Sequence, residues 1–263
     1  PRDILVIPET WVQFFQDKLQ QVRKVIFNQS AYMTFVGGLH NIPAIQTLYT
    51  HPNTMGALVV SEDSREYLSY VFPSLALNRL HLSIDPHVFF YAEEKKRQIC
   101  YMPRRGDELC REVLACLHCR GVLRDWTLLP IDNVPQEKVA AIMRESMIFL
   151  SFSWLEGFNL PPAEAMACGC LAIGLHGMAG REFFLPEFSY PIESCDIIGY
   201  AKAVENALSL AETYPAEFRK KRRAASRFIL ETYTLRREKE DLLSFWSRMV
   251  NSSDSPPDQT ARV

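Results

Sequence analysis

The chain has 263 residues, 48% of them hydrophobic and 23% charged, with a formal net charge of −2. That apolar content supports a sizeable core in one large domain or two modest ones, and the near-neutral balance provides no basic field of the kind that marks a nucleic-acid binder. No apolar run reaches the length of a membrane span, and the opening P-R-D-I-L-V-I-P has no signal-peptide pattern, which with the absent initiator Met points to a processed or trimmed chain in the cytoplasm.

The pattern is α/β from the outset. Residues 4–9 (I-L-V-I-P-E) read as a strand. Residues 11–23 read as a helix with Trp11, Phe14, Phe15, Leu19 and Val22 on its apolar face, and residues 24–28 (K-V-I-F-N) as a second strand. A looser stretch with Gly37-Gly38 and Pro43 precedes a strand at Ala57 to Val60. A helix from Ser61 to Tyr70 follows, with N-cap candidates in Ser61-Glu62-Asp63-Ser64. Arg79 to Ile84 is the next expected strand, and Asp85-Pro86 to Lys96 the crossover to a second lobe.

That lobe starts with a buried strand at Gln98 to Met102, followed by Pro103-Arg104-Arg105-Gly106 and a helix over Asp107 to Arg120. Trp126 to Ile131 reads as a strand and Gln136 to Ser146 as an amphipathic helix with Val139, Ile142 and Met143 on one face. Ile197 to Leu210 and Ala216 to Met249 are helical in pattern, while residues 251–263 lack apolar periodicity and are expected to be disordered. The implied division is 1–95, 96–235, a return helix over 236–250, and a tail.

Seven cysteines, an odd number scattered through the elements, fit reduced thiols rather than a disulfide framework. Cys116-Leu-His-Cys119, with Cys110 upstream, supplies half a zinc site, but no second pair follows. The expectation is small apolar residues on a helix.

The chemistry concentrates in Glu156 to Gly169, E-G-F-N-L-P-P-A-E-A-M-A-C-G. The apolar runs Met147 to Phe152 and Leu171 to Leu175 flank it as buried strands, making a βαβ unit. Pro161 and Pro162 fit the start of the intervening helix and Gly169 its end. Such a helix opens at the carboxyl edge of the sheet, where its unpaired N–H groups suit a phosphate. Glu156 and Glu164, with seven residues between them, make sense if the ligand also carries sugar hydroxyls, which carboxylates accept from bidentately. The alternative is that Glu164 serves the helix dipole and Glu156 is a solvated loop residue.

The run S-x-x-E-G-F-x-L-P-P-x-E-A-M-A-C-G, Ser153 through Gly169, resembles the E-x7-E signature of retaining GT-B glycosyltransferases of the glycogen-synthase and sucrose-synthase type, the large family four of sugar transferases. A looser likeness extends over residues 57–250 and includes Ser61 to Tyr67. The resemblance implies two Rossmann-like lobes, a donor-binding second lobe opposite an acceptor lobe, and no cofactor beyond a nucleotide-diphosphate sugar as substrate. It implies that Glu164 holds the ribose diol and Glu156 the transferred sugar. The N–H groups of Gly157, Phe158, Asn159 and Leu160, with Arg104 or Arg105, would stabilise the departing diphosphate, and the leaving phosphate would help deprotonate an acceptor hydroxyl. No D-x-D or similar carboxylate cluster offers a metal site, so arginine is the expected source of charge unless the pair is simply solvated. Ile131, Asp132 and Asn133 correspond to the nucleobase positions.

The sequence departs from the family in two places. Pro103-Arg104-Arg105 replaces a Gly-Arg and no Lys follows in the next turn, so which arginine reaches phosphate stays open. The catalytic His motif of the first lobe is not recognisable: Asn28-Gln29-Ser30 stands about where it would fall, and His40 is a lone loop histidine. With about four strands before residue 95, the first lobe reads as incomplete. A rival reading is therefore a nucleotide-sugar-binding module that is non-catalytic or needs a missing segment or partner. A phosphorylase would require a cofactor lysine with no evident position here. The loop His176 to Glu182 either borders the donor or is a plain turn. Arg219-Lys220-Lys221-Arg222-Arg223 is either a solvated helix face or a contact with an anionic inner-membrane surface, which would suit a lipid-linked or glycan acceptor.

Overall fold

A computed structural model of the protein describes residues 3–14 and 20–252. Its elements run β1 (Leu5–Pro8), β2 (Lys24–Asn28), α1 (Ile42–Thr50), β3 (Thr54–Val59), α2 (Glu62–Val71), β4 (Leu77–Arg79), β5 (Lys96–Tyr101), α3 (Asp107–Cys119), β6 (Thr127–Pro130), α4 (Gln136–Glu145), β7 (Ser146–Ser151), α5 (Leu160–Ala167), β8 (Leu171–Gly174), β9 (Tyr190–Pro191), α6 (Ile197–Thr213), α7 (Pro215–Thr232) and α8 (Leu235–Ser252). The chain divides into two compact units, residues 1–82 with 235–263 and residues 83–234.

The first unit carries a parallel sheet in the order β1-β2-β3-β4. Its strands alternate with period two. Ile26, Ala57 and Val59 face α1 and α2 through Ile45, Leu48, Leu68 and Phe72, whereas Val25 and Leu58 face α8 through Phe245 and Met249. Covering both faces is what makes an all-parallel sheet stable, and α8 supplies the second cover. It is pinned by Asp241, whose Oδ2 accepts from the His81 N–H at 2.9 Å and lies 2.7 Å from His81 Nδ1.

Several expected boundaries shift. The strand expected over 79–84 is Leu77–Arg79, which pairs with β3; Leu80 still donates to Val59 O at 2.8 Å, and the strand ends there. Within the expected helix 11–23, residues 9–14 form a 3-10 helix and residues 15–19 lie outside the described residues, as does the expected tail from 253 on. The stretch read as loose contains α1, which has Pro43 as its second residue and buries only Ile45, Leu48 and Tyr49. The continuous helical pattern after residue 216 is two helices, broken at Tyr233 and Thr234. Ser61 caps α2 as expected, accepting from the Ser64 N–H at 3.1 Å.

The second unit holds a parallel sheet in the order β6-β5-β7-β8-β9. One face packs on α3 and α6 through Ile99, Val113, Leu117, Ile148, Leu150, Ile173 and Val204, and α4, α5 and α7 belong to the same unit. The chain runs from β5 out to β6 and then returns to the far side of β5 to form β7. The strand order therefore reverses between β5 and β7, and at their carboxyl ends lies the crevice where doubly wound sheets bind ligands. The crossover expected over Asp85 to Lys96 falls in this unit, which begins at Ser83: Arg144 Nη1 donates to Val88 O at 2.5 Å and Lys95 Nζ to Met143 O at 2.9 Å.

Candidate functional site

Four consecutive loops line the carboxyl edge of the second sheet, following β6, β5, β7 and β8 in spatial order. The central one joins β7 to α5. It is anchored from below by Phe158, whose buried ring sits 5.4 Å from Phe183 and 5.0 Å from Tyr233, so the side chain of Phe158 faces the core and only its backbone is left for a ligand. The N–H groups of Gly157, Phe158, Asn159 and Leu160 donate to no described residue. Pro161 and Pro162 occupy the second and third positions of α5, as their fixed φ and missing N–H favour. At the other end Gly169 (φ 82°) closes the helix, and a Cβ there would stand 2.7 Å from the Tyr91 ring.

Glu164 is the fifth residue of α5, beyond the first turn, which removes the reading of it as a simple dipole carboxylate. Helical side chains lean toward the N-terminus, so its carboxyl tilts back over the opening turn. It is half-buried, no described residue pairs with it, and desolvation raises its pKa to about 7. Glu156 is held differently. It forms a parallel bridge with Met178, its N–H donating to Gly177 O at 3.0 Å, so the β7 and β8 loops are tied at their mouths. A Cβ on Gly177 (φ 64°) would meet Glu156 Cγ and Asn159 Nδ2, each at 3.0 Å, which is why this close crossing takes a glycine.

The arginine pair follows β5 in a 3-10 turn, Pro103–Arg105. Gly106 lets this turn approach the end of β7, since a Cβ there would stand 2.6 Å from Phe152 O. Arg104 is exposed, while the side chain of Arg105 lies outside the described residues. At the end of β6, Ile131 is buried with its N–H donating to Tyr101 O at 2.7 Å, and Asp132 and Asn133 are exposed. Asn133, Asn159, Met178 and Cys195 have positive φ between 52° and 70°, one in each loop after β6, β7, β8 and β9.

The far end of α5 is held by groups that the sequence pattern did not single out for the site. Lys95 Nζ donates to Cys168 O at 2.7 Å, Arg222 Nε to Gly169 O at 2.7 Å and Ser226 Oγ to Ala167 O at 2.7 Å. Two cations thus meet the negative end of the helix, and burial lowers the pKa of each. The basic run is accordingly not one solvated face. Arg222 is 3% exposed, Arg219 and Arg223 pair with Glu93, and Lys221 Nζ donates to Glu187 O at 2.9 Å. A signal was available: Arg222 stands four positions after Phe218 and three before Ala225, on the stripe that α7 buries.

Other sequence candidates are distributed elsewhere. Asn28 is buried and donates to Thr34 Oγ1 and Tyr49 Oη at 2.9 and 3.1 Å, a structural network. His40 is exposed on a 3-10 turn of the first unit. Cys110 is buried and Cys116 half-buried as expected of helix packing, but Cys119 is exposed. Among the described residues no helix is long and apolar enough to cross a membrane.

Residues 104–244, just over half of the chain, match the family described as glycosyl transferase-like. Over 186 residues the chain is 24% identical to an α-1,6-glucosyltransferase of Actinobacillus pleuropneumoniae serotype 7 (strain AP76), covering 67% of this chain and 53% of that protein. The chain therefore spans about half the length of the curated relative it matches. Among solved structures it is similar to sucrose-phosphate synthase from Thermosynechococcus elongatus (TM-score 0.73, 13% identity, 95% of this chain and 74% of that one). It is also similar to a point mutant of S. aureus TarM in complex with Fondaparinux, alpha-GlcNAc-glycerol and UDP (TM-score 0.68, 14% identity, 94% and 55%), and to the pneumococcal O-GlcNAc transferase GtfA in complex with UDP and GlcNAc (TM-score 0.64, 15% identity, 96% and 57%). These neighbours are GT-B proteins, and the two parallel α/β units described above are that fold. On the match over residues 104–244, the chain belongs to the glycosyl transferase-like family.

Proposed function

We propose that the chain is a retaining, metal-independent glycosyltransferase that takes a sugar from a nucleotide-diphosphate donor and transfers it to an acceptor hydroxyl. The observation that carries this reading is Glu164: a largely desolvated carboxyl without a partner among the described residues, one turn inside a helix whose opening N–H groups are also unpaired. A ribose diol donating two hydrogen bonds satisfies that carboxyl, and a diphosphate satisfies the N–H groups beside it. Glu156, tied to Gly177, then faces the transferred sugar in the E-x7-E arrangement, while Arg104 or Arg105 adds charge to the leaving diphosphate. Ile131, Asp132 and Asn133 border the nucleobase at the end of β6. The UDP in the TarM and GtfA complexes supports a nucleotide donor of this class.

The acceptor is a glycan or a lipid-linked glycan. Peripheral contact with an anionic inner membrane from the cytoplasm draws on Lys220 and its exposed neighbours rather than on the whole basic run, whose other members are engaged within the second unit. A thermal-shift screen of UDP-, ADP- and GDP-sugars tests the donor reading, followed by turnover with the hit and the anomeric configuration of the product. A rise in Tm with one nucleotide sugar that persists in EDTA is expected. No shift with any of them overturns the reading.

A further inference from the structure

Asn159 closes the β7 loop in the left-handed region (φ 70°, ψ 62°). It is 3% exposed, and neither its Oδ1 nor its Nδ2 has a hydrogen-bond partner among the described residues. An asparagine at this position of a helix normally turns its Oδ1 onto the N–H of the second or third helical residue. Here those residues are Pro161 and Pro162, which have no N–H to give, so capping is chemically closed to it. The left-handed backbone suits an asparagine, but a buried carboxamide that cannot cap and has no partner among the described residues is left without a structural role of its own. Its Nδ2 lies against Gly177, where a Cβ would be 3.0 Å from it and 3.0 Å from Glu156 Cγ. The carboxamide and the Glu156 side chain therefore converge over the same glycine.

We propose that Asn159 determines sugar specificity, its carboxamide and the Glu156 carboxylate together reading two neighbouring hydroxyls of the transferred pyranose. This rests on the donor reading above and deepens it. The chemistry of the pair is complementary. A carboxylate only accepts, so each hydroxyl it holds has committed its proton and still presents oxygen lone pairs, while the amide supplies N–H donors for one such oxygen and an acceptor for a second hydroxyl proton. A pyranose with the opposite configuration at one of the two carbons displaces one hydroxyl from this grid and leaves a buried amide or carboxylate unmatched.

The test is calorimetric titration of UDP, UDP-glucose, UDP-galactose and UDP-N-acetylglucosamine, with ADP, GDP and their sugar conjugates in parallel, into the wild-type chain and Asn159→Gly. Glycine accepts the left-handed backbone without strain, so the variant keeps the loop. The expected result is nucleoside diphosphate affinity within about threefold of wild type, a loss of roughly tenfold or more for the preferred nucleotide sugar, and a collapsed preference between epimers. Asn159→Asp, which keeps the shape and loses the N–H donors, should also lose that preference. Unchanged sugar preference in Asn159→Gly overturns the inference while leaving the donor reading intact. An equal loss for the bare nucleoside diphosphate overturns it too, because the side chain would then be shaping the phosphate loop. If the wild type binds none of these nucleotides or their sugars, both readings fall.

Discussion

Arg222 Nε donates to Gly169 O at 2.7 Å, which places a buried guanidinium from within a five-residue basic run at the carboxyl end of the helix that opens onto the candidate site. Replacing it with Met leaves that carbonyl unpaired and the helix end without one of its two cations. Urea unfolding should show a loss of about 2 to 4 kcal/mol for Arg222→Met. Arg219→Gln with Lys220→Gln, on the exposed side of the same helix, should stay within about 0.5 kcal/mol. Equal effects would mean that the run acts through its collective charge.

The raised pKa of Glu164 predicts a pH signature of donor binding. Its folded value of about 7 lies above the roughly 4.3 of an unfolded glutamate, so the folded state holds the proton more tightly between those limits. Stability from this group is complete below the lower value and falls as pH rises toward and through 7, by no more than about 4 kcal/mol. Glu164→Gln should therefore gain stability relative to wild type as pH rises from 4.5 to 8. If Glu164 holds the donor's diol as proposed, binding needs the carboxylate, so wild-type affinity should fall as pH drops below 7 and lose that dependence in Glu164→Gln. A pH-independent wild-type isotherm between 6 and 8 would remove Glu164 from the donor contact.

If arginine and helix N–H groups supply the charge for the diphosphate, Arg104→Ala with Arg105→Ala should weaken donor binding by roughly 1.5 to 3 kcal/mol, about tenfold to 150-fold. EDTA should change it far less. An isotherm that collapses in EDTA and returns with Mg²⁺ or Mn²⁺ would put a metal where we place the guanidinium.

Gly177→Ala adds a Cβ 3.0 Å from both Glu156 Cγ and Asn159 Nδ2, at a φ of 64°. We expect a stability loss of about 1 to 3 kcal/mol from the backbone and, if the two displaced side chains read the sugar as proposed, a further fall in nucleotide-sugar affinity relative to nucleoside diphosphate. Calorimetry at a temperature where the variant remains folded separates these effects, and equal losses for both ligands would count against the second.

The βαβ unit around α5 was legible because its signals are local: apolar strand runs, two prolines at a helix start and a glycine at its end. What escaped depends on tertiary neighbours. The short α1 carries only three buried residues and too little periodicity to stand out from a Gly- and Pro-containing stretch. Lys95 gives no pattern at all, since its partners, Met143 O and Cys168 O, are backbone carbonyls far away in sequence. Arg222 was hidden by its neighbours, because five consecutive charges suggest solvent on every side and only the register with Phe218, Ala225 and Ile229 reveals the buried one. Asn159 was legible as a backbone donor, but that its side chain has nothing to cap follows from reading Pro161 and Pro162 together with the loop conformation.

Each loop following β6, β7, β8 and β9 keeps one non-glycine residue at positive φ, in Asn133, Asn159, Met178 and Cys195. Such residues persist only where their surroundings over-determine them. Glycine at Asn133, Met178 or Cys195 would relax the backbone, yet it would also widen the range of shapes the loop can sample. Thermal tolerance and ligand affinity should therefore part company along this rim: substitutions that make the chain harder to melt would leave a looser receptor, and a nucleotide entering it would have to supply the ordering that the native residues provide during folding.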